Sequence, residues 1–280
     1  VKRVLLQLLA ATVLVAPLGA RANELRIYAF DVGQGEATLI VSPTGQTALL
    51  DAGPPEAAAR LRARLEALLT GPLQVALVSH DHADHFGGMA QALEVKGAGQ
   101  LVVSGFPQPS QSQVDLLKAA AAAKVPVVEA KPGLRFDLGG GAVLTVLAPS
   151  RPFLTGTAAD VHANSIVARL TYGERSFLFM GDGEADAEKA LLARGVNVKA
   201  DVLWVGHHGG KTAASGAFLQ AVKPSAAVIS AGAGNGLGLP NRASEDRLVA
   251  VQARVLRTDL DGELRLETDG HAVRFVRGAK

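Results

Sequence analysis

Ser79-His80-Asp81-His82-Ala83-Asp84-His85-Phe86-Gly87-Gly88 is the stretch on which the reading of this chain turns, because it packs three imidazoles and two carboxylates into six residues. In extended backbone, side chains two residues apart point the same way, so His80 and His82 can grip one cation. Asp84 and His85 follow at the start of a helix that opens around Phe86-Gly87-Gly88, where they would face a second cation. Imidazole and carboxylate donors suit zinc, at nitrogen distances of about 2.0–2.1 Å, with manganese or iron as alternatives. The apolar run from Leu73 to Ser79 reads as the strand that delivers this cluster at its end.

Working outward, three more of the seven histidines fall into short clusters further along the chain. His162 stands in Val161-His162-Ala163-Asn164-Ser165, and the pair His207-His208 precedes Gly209-Gly210. Asp182 lies between them in Met180-Gly181-Asp182-Gly183. Only His271, in a terminal strand after Asp269-Gly270, stands apart, and it reads as a surface residue.

The segments between these clusters have a repeating order. Leu25 to Phe30, Thr38 to Ser42 and Thr47 to Leu50 read as strands, Glu56 to Leu69 as a helix, and the next strand ends at His80. In the second half, Ser165 to Leu170 and Ser176 to Met180 are strands, Ala185 to Ala193 a helix, and Val202 to Val205 a strand ending at His207. Two strand–strand–helix–strand units, each ending in histidine, predict a pseudo-twofold layered domain with the metal site at its seam. Gln111 to Lys124 predicts a surface helix, Pro126 to Pro149 two or three strands, Ala226 to Ser230 a buried strand, Pro240 to Arg254 a helix, and Leu264 to Val276 a closing strand pair.

Composition bounds the function classes. The 280 residues, 48% hydrophobic, can bury a substantial core as one large domain. Aromatic residues are only 4%, so base stacking is not suggested. With no cysteine there are no disulfides and no thiolate ligands.

Residues 1–22 read as a secretion signal, with Lys2-Arg3 as a basic start, Val4 to Val15 as an apolar run and Ala20-Arg21-Ala22 as a small-x-small cleavage site. The run is shorter than the roughly 20 residues of a spanning helix. The expectation is therefore a periplasmic or secreted protein whose domain occupies 23–280, with no stable membrane span after cleavage and no obligate protein partner. Removing Lys2, Arg3 and Arg21 from the 28 Lys and Arg leaves 25 against 26 Asp and Glu, a formal net charge of −1. The basic pI of the full sequence is thus no argument for DNA binding.

The pattern His-x-His-x-Asp-His at 80–85, after a strand and before Gly87-Gly88, resembles the metallo-β-lactamase superfamily. Asp31-Val32-Gly33-Gln34-Gly35, Asp51-Ala52-Gly53, Asn164-Ser165, Gly181-Asp182, His207-His208-Gly209 and Arg257-Thr258-Asp259 with Gly262 are similar to the hydrolase domain of ComEC-type competence proteins and their free-standing relatives. The resemblance implies an α+β fold, a four-layer αββα sandwich, with two divalent metal ions at the sheet edges. It implies that His80, His82 and His162 hold the first ion and that Asp84, His85 and one of His207 or His208 hold the second, with Asp182 bridging. The other histidine of the pair would touch a phosphoryl oxygen or protonate a leaving group.

Three positions depart from the family pattern. Glu36 stands where aspartate is common, Gly210 where serine usually follows His-His-Gly, and Leu239 where histidine is often found. Lys211 is a candidate replacement cation for a phosphate. Asp31 and Gln34 are expected to fix a tight turn, Asp51 to cap a helix or turn, and Asp81 either to orient an imidazole or to lie exposed.

Two cations about 3.5–4 Å apart bring the pKa of a shared water toward neutrality and stabilise both the attacked and departing oxygens. The expected function is an exported phosphodiesterase or nuclease acting on a small phosphodiester or a nucleic acid. A hydrolase of carbon esters, thioesters, lactones or β-lactams is the alternative, and a non-catalytic DNA-uptake or binding module a third.

Overall fold

The computed structural model describes residues 24–108 and 110–277, so the leader expected at 1–22 lies outside them. Two mixed sheets face each other. The first contains β1 (Leu25–Ala29), β2 (Thr38–Val41), β3 (Thr47–Leu50), β4 (Val75–Val78), β5 (Leu101–Val103) and β6 (Val127–Glu129). The second contains β7 (Arg135–Asp137), β8 (Val143–Ala148), β9 (Val167–Tyr172), β10 (Arg175–Phe179), β11 (Val202–Trp204), β12 (Ala226–Ile229) and β13 (Arg254–Arg257). The chain then returns to the first sheet with β14 (Leu264–Thr268) and β15 (Val273–Arg277). The orders are β15-β14-β1-β2-β3-β4-β5-β6 and β13-β12-β11-β10-β9-β8-β7.

The helices are α1 (Ala58–Leu68), α2 (Ala83–Phe86), α3 (Met89–Lys96), α4 (Gln111–Ala122), α5 (Asp160–Ala163), α6 (Ala185–Ala193), α7 (Gly216–Val222), α8 (Arg242–Ala250) and α9 (Thr258–Asp261). Period-two alternation sorts the strand side chains into three apolar layers. Ile27, Ile40, Leu50 and Leu77 meet Leu144, Leu170, Phe177 and Trp204 between the sheets. Leu39, Leu49 and Val78 point the other way, against Leu61 and Leu65 of α1, Met89 of α3 and Leu116 of α4. Leu178, Leu203 and Ile229 pack under Leu191 of α6, Phe218 of α7 and Leu248 of α8. Each such fully buried side chain contributes about 1.5–3 kcal/mol. The four-layer αββα arrangement follows, because both faces of both sheets are apolar and each outer face needs a helical cover.

The repeat read from the sequence is present in space. β2 and β3 are antiparallel and β3 and β4 parallel, with α1 between the latter pair. β9, β10 and β11 repeat that order around α6. Where the halves meet, Ile166 donates its N–H to the carbonyl of Ser79 at 2.8 Å. At Gly181, φ +51, a Cβ would lie 2.8 Å from that of Ser79, so the close approach requires glycine.

Some boundaries differ from expectation. The helix expected over Pro240–Arg254 ends at Ala250, where Gln252 turns to φ 60 and the chain enters the edge strand β13. The short helix α7 is set by its cap, Ser215, whose Oγ accepts the N–H of Phe218.

Candidate metal centre

The expected ligands gather at the carboxyl ends of β4, β10 and β11, where the two halves abut. The loop after β4 carries His80 and His82 and runs into α2, which holds Asp84 and His85. Helix α5 carries His162, the turn after β10 carries Asp182, and a 3₁₀ turn after β11 carries His207 and His208. In that last turn His207 and His208 both adopt positive φ, 50 and 53, and Gly209 continues the left-handed run. Left-handed backbone costs a β-carbon residue roughly 1–2 kcal/mol. Here it separates the directions of two adjacent imidazoles.

The side chains form two groups around one carboxylate. His80, His82 and His162 converge with Asp182, and Asp84, His85 and His208 converge beside them. Oδ2 of Asp182 lies 3.5 Å from Nε2 of His80 and 3.6 Å from Nε2 of His162. Oδ1 lies 3.0 Å from Nε2 of His85 and 3.7 Å from Nε2 of His208. One oxygen therefore faces each group, as the bridging role expected of Asp182 requires.

The polar atoms here fit cations better than they fit one another. Nδ1 of His82 lies 3.0 Å from Nε2 of His162, and Nε2 of His85 lies 3.3 Å from Nε2 of His208. Nε2 of His80 is buried without a hydrogen-bond partner. Such an orphaned atom is costly unless something answers it. Inward-facing imidazole nitrogens around a shared carboxylate are answered by divalent cations.

Neighbours fix the inward-facing atoms of His85 and His208 by holding the far side of each of these two rings. Nδ1 of His85 donates to Oδ2 of Asp51 at 2.8 Å, and Nδ1 of His208 donates to the carbonyl of Ser230 at 2.8 Å. Asp51 also accepts the N–H of Ser79 at 2.6 Å and its hydroxyl at 2.7 Å. Asp51 is thus no helix cap. It sits at φ 55, buried, and holds the histidine loop against the sheet.

Electrostatics follow the packing. Burial alone would raise Asp182, but the His85, His208 and His80 rings hold its carboxyl well below the ordinary range. Burial likewise opposes ionisation of Asp84, yet its hydrogen bond with His208 and the charge of His85 bring it down. Burial pushes His80 well below 6.5 and His162 to about 4, which keeps both neutral as ligands. His85 moves the other way, because Asp182 and Asp51 outweigh its burial.

The histidine pair, left open by the sequence, is divided by the fold. His208 is buried with Asp84 at 3.1 Å, while His207 is half-buried at the rim, its ring 4.4 Å from that of His162, and forms a short contact through Nδ1 with Glu184, so that His162, Glu184 and His207 make a further converging group. His207 Nε2 is still 3.9 Å from Oδ2 of Asp182, so it borders the centre. Burial would lower His207, but Glu184 raises it. Glu184 also accepts from the hydroxyl and the N–H of Thr212. It was not singled out in the sequence, although its place two residues after Asp182 was a signal.

Gly210 makes room for this carboxylate. A Cβ there would lie 2.6 Å from Oε1 of Glu184 and 3.0 Å from Nδ1 of His207, so a serine would push Glu184 off the ring.

The remaining candidates are placed as follows. Asp31 accepts the N–H of Gly33 in the expected turn, and Oε1 of Gln34 accepts the N–H of Gly232. Asp81 turns away from the imidazoles and accepts a short hydrogen bond from Gln113 of α4, with burial raising it to about 6. Glu36 is buried near Asp51 and His85. Lys211 is exposed, and His271 is a surface residue 3.6 Å from Glu174.

Fold and site together define a metal-dependent hydrolase scaffold, and the comparisons agree. The sequence profile of the metallo-β-lactamase superfamily matches residues 30–233, so the chain belongs to that family. Within it, the chain is similar to competence proteins. It is 30% identical over 259 residues to Competence protein ComA of Neisseria gonorrhoeae, covering 92% of this chain and 34% of that protein. It is 32% identical over 194 residues to ComE operon protein 3 of Bacillus subtilis, covering 69% and 24%. It is 31% identical over 246 residues to Recombination protein 2 of Haemophilus influenzae, covering 86% and 28%. The chain spans about a third or less of these relatives. Among solved structures, YhfI of Bacillus subtilis superposes with a TM-score of 0.55 at 13% identity, covering 88% of this chain and 100% of that one. Zn(2+)-bound PqqB of Methylobacterium extorquens gives 0.51 at 16%, covering 83% and 87%. These two likenesses establish the fold alone. No helix among the described residues is long and apolar enough to cross a membrane.

Proposed function

We propose that this chain is a dinuclear metal-dependent phosphodiesterase with nucleic acid among its substrates. The observation that carries the reading is Asp182, whose two carboxylate oxygens face two separate ligand groups. His80, His82 and His162 would hold one ion, and Asp84, His85 and His208 the other, zinc being the leading choice. Held there, two divalent cations would supply Lewis-acid stabilisation of charge on the oxygens of a displacement at phosphorus.

The chain's own groups do the rest. Asp51 and Ser230 hold the far nitrogens of His85 and His208, so that their Nε2 atoms face the centre. His207 stands at the edge of the centre with Glu184 on its Nδ1. In that place its Nε2–H serves to protonate a departing alkoxide, a role worth about 10²–10⁴-fold in rate. The competence and recombination proteins among the relatives favour nucleic acid, and that link is part of the proposal. So is export to the periplasm or medium, read from the leader at 1–22.

The test is cleavage of a fluorescent single-stranded DNA oligonucleotide and of bis(p-nitrophenyl) phosphate by protein from residue 23 onward, loaded with zinc or manganese. Cutting that Asp84→Asn abolishes supports the reading. Hydrolysis of a carboxylic ester, lactone or β-lactam with neither phosphodiester cleaved overturns it.

A further inference from the structure

Residues 209–215, the loop that follows His207 and His208, are gripped on two sides by charged side chains. Glu188 of α6 is buried, and its Oε1 accepts the N–H of Ala214 at 2.6 Å while its Oε2 accepts the N–H of Ser215 at 2.9 Å. Arg247 of α8 takes the carbonyl side of the same backbone. Its Nε donates to the carbonyl of Ala214 at 3.0 Å, and its Nη2 donates to those of Lys211 and Ala213, each at 2.6 Å. A carboxylate and a guanidinium from separate helices thus answer the donors and the acceptors of one short loop. Ala214, held from both sides, stands at φ 55, a conformation that a residue with a β-carbon keeps only where its surroundings impose it.

The loop leads to the partner of His207. Thr212 donates its N–H to Oε2 of Glu184 at 3.2 Å and its hydroxyl to the same oxygen in a shorter bond. The other oxygen of Glu184 meets Nδ1 of His207. Glu184 stands at the start of α6, and its carbonyl accepts the N–H of Glu188 one turn later at 2.9 Å. One end of α6 therefore presents two carboxylates to the loop, Glu184 at Thr212 and Glu188 at Ala214 and Ser215. The start of the loop is pinned separately, where the carbonyl of Gly209 accepts the N–H of Asn241 at 2.8 Å. Loosening the grip of Glu188 and Arg247 would thus move Thr212 while His208 stays on Ser230 and Asp84.

We infer that Glu188 and Arg247 are positioning residues for His207, acting through the 209–215 loop, Thr212 and Glu184. The inference rests on the reading of His207 as proton donor to a departing alkoxide. For that transfer the imidazole must keep Nδ1 on Glu184, so that Nε2, the nitrogen 3.9 Å from Oδ2 of Asp182, is the one that carries the proton to be given. Thr212 holds the carboxylate that holds the ring, and the two helices hold Thr212. A misplacement of about 1 Å in a group of this kind costs on the order of a hundredfold in rate. Arginine suits the task because its fixed fork reaches several carbonyls at once, which the single ammonium of lysine does not reproduce.

Two measurements on the zinc-loaded chain test this, with Arg247→Lys, Glu188→Gln and the exposed Thr212→Val as variants. The first is a nitrogen–proton correlation spectrum of the histidine rings, with His207 assigned by its loss in His207→Ala. Each variant is expected to shift the Nδ1 signal of His207 and to leave those of His85 and His208 in place, with both ions retained. The second compares a dinucleotide, whose leaving group is an alkoxide, with bis(p-nitrophenyl) phosphate, whose leaving group departs without a proton. On the dinucleotide kcat is expected to fall about ten- to a hundredfold, with the rate on the aryl ester changed less than about twofold. In a His207→Ala background the same substitutions are expected to cost less than about twofold more. A loop that served folding alone would lower both substrates alike or neither, in either background. The inference is overturned if the His207 signal stays unmoved in Arg247→Lys and Glu188→Gln, or if the dinucleotide loss persists in His207→Ala. Should Glu188→Gln fail to fold, Arg247→Lys decides by the same two readouts. A parent chain that cleaves no phosphodiester would remove the reaction and leave the positioning roles to be judged on the ring signals.

Discussion

Asp51 and His85, 34 positions apart in the chain, are joined by a 2.8 Å hydrogen bond from Nδ1 of the imidazole to Oδ2 of the carboxylate. The bond fixes which nitrogen of His85 is left to face the centre, and a second bond from the Ser79 hydroxyl ties the same oxygen to the metal loop. Partners of this kind typically govern metal affinity by about 10–100-fold. Asp51→Asn should weaken one of the two ions by that factor and leave the other nearly unchanged. Competition against a chromophoric chelator reads both affinities, and two unaltered ions would remove the orienting role.

Asp182 is shared by both ligand groups, so its loss should be felt at both. Asp182→Ala should reduce bound metal from two ions per chain to one or fewer, measured by elemental analysis. Turnover should fall at least about a hundredfold. Full occupancy by two ions in this variant would end the bridging assignment.

His207 and His208 are adjacent, yet the structure gives them different surroundings, and paired variants should separate them. His208→Ala should lose an ion. His207→Ala should keep both ions and lose rate chiefly on substrates with a poor alkoxide leaving group, because p-nitrophenoxide departs without a proton. Glu184→Gln should show the same leaving-group pattern more weakly. Loss of metal in His207→Ala would place that residue among the ligands instead.

Glu36 sets a pH dependence in the metal-free protein. Burial, then the charge of Asp51, pushes its carboxyl from 4.5 up to about 8. Between those values the folded chain holds a proton that the unfolded chain has released, so stability falls as pH rises from 4.5 toward 8. Glu36→Gln should match the parent near pH 4.5 and melt higher at pH 8, by about 2–4 °C for each kcal/mol regained. Parallel melting curves for the two proteins across that range would exclude the buried acid as the cause.

The ligand cluster was legible because its chemistry is local. His80, His82, Asp84 and His85 fall within six residues, and no structural role calls for that density of imidazole. The layered fold was legible too, since apolar runs such as Leu73 to Val78 mark strands covered on both faces. Asp51 was misread as a cap because its partners, Ser79 and His85, are distant in sequence, and a single aspartate after a strand carries no trace of them.

By itself, then, the sequence determined the residue types, their order and the repeated unit that brings two histidine-bearing strand ends together. Only the tertiary structure decided that His208 is buried against Asp84 and Ser230 while His207 sits half-buried at the rim against Glu184, because that division depends on a left-handed turn and on Glu184, Ser230 and Asp84 closing around it. It also placed Phe106, Gln113 and Val127 beside Asp81. Periodicity reports which face of an element is buried, but contacts between separate elements are fixed by packing, which no local pattern encodes.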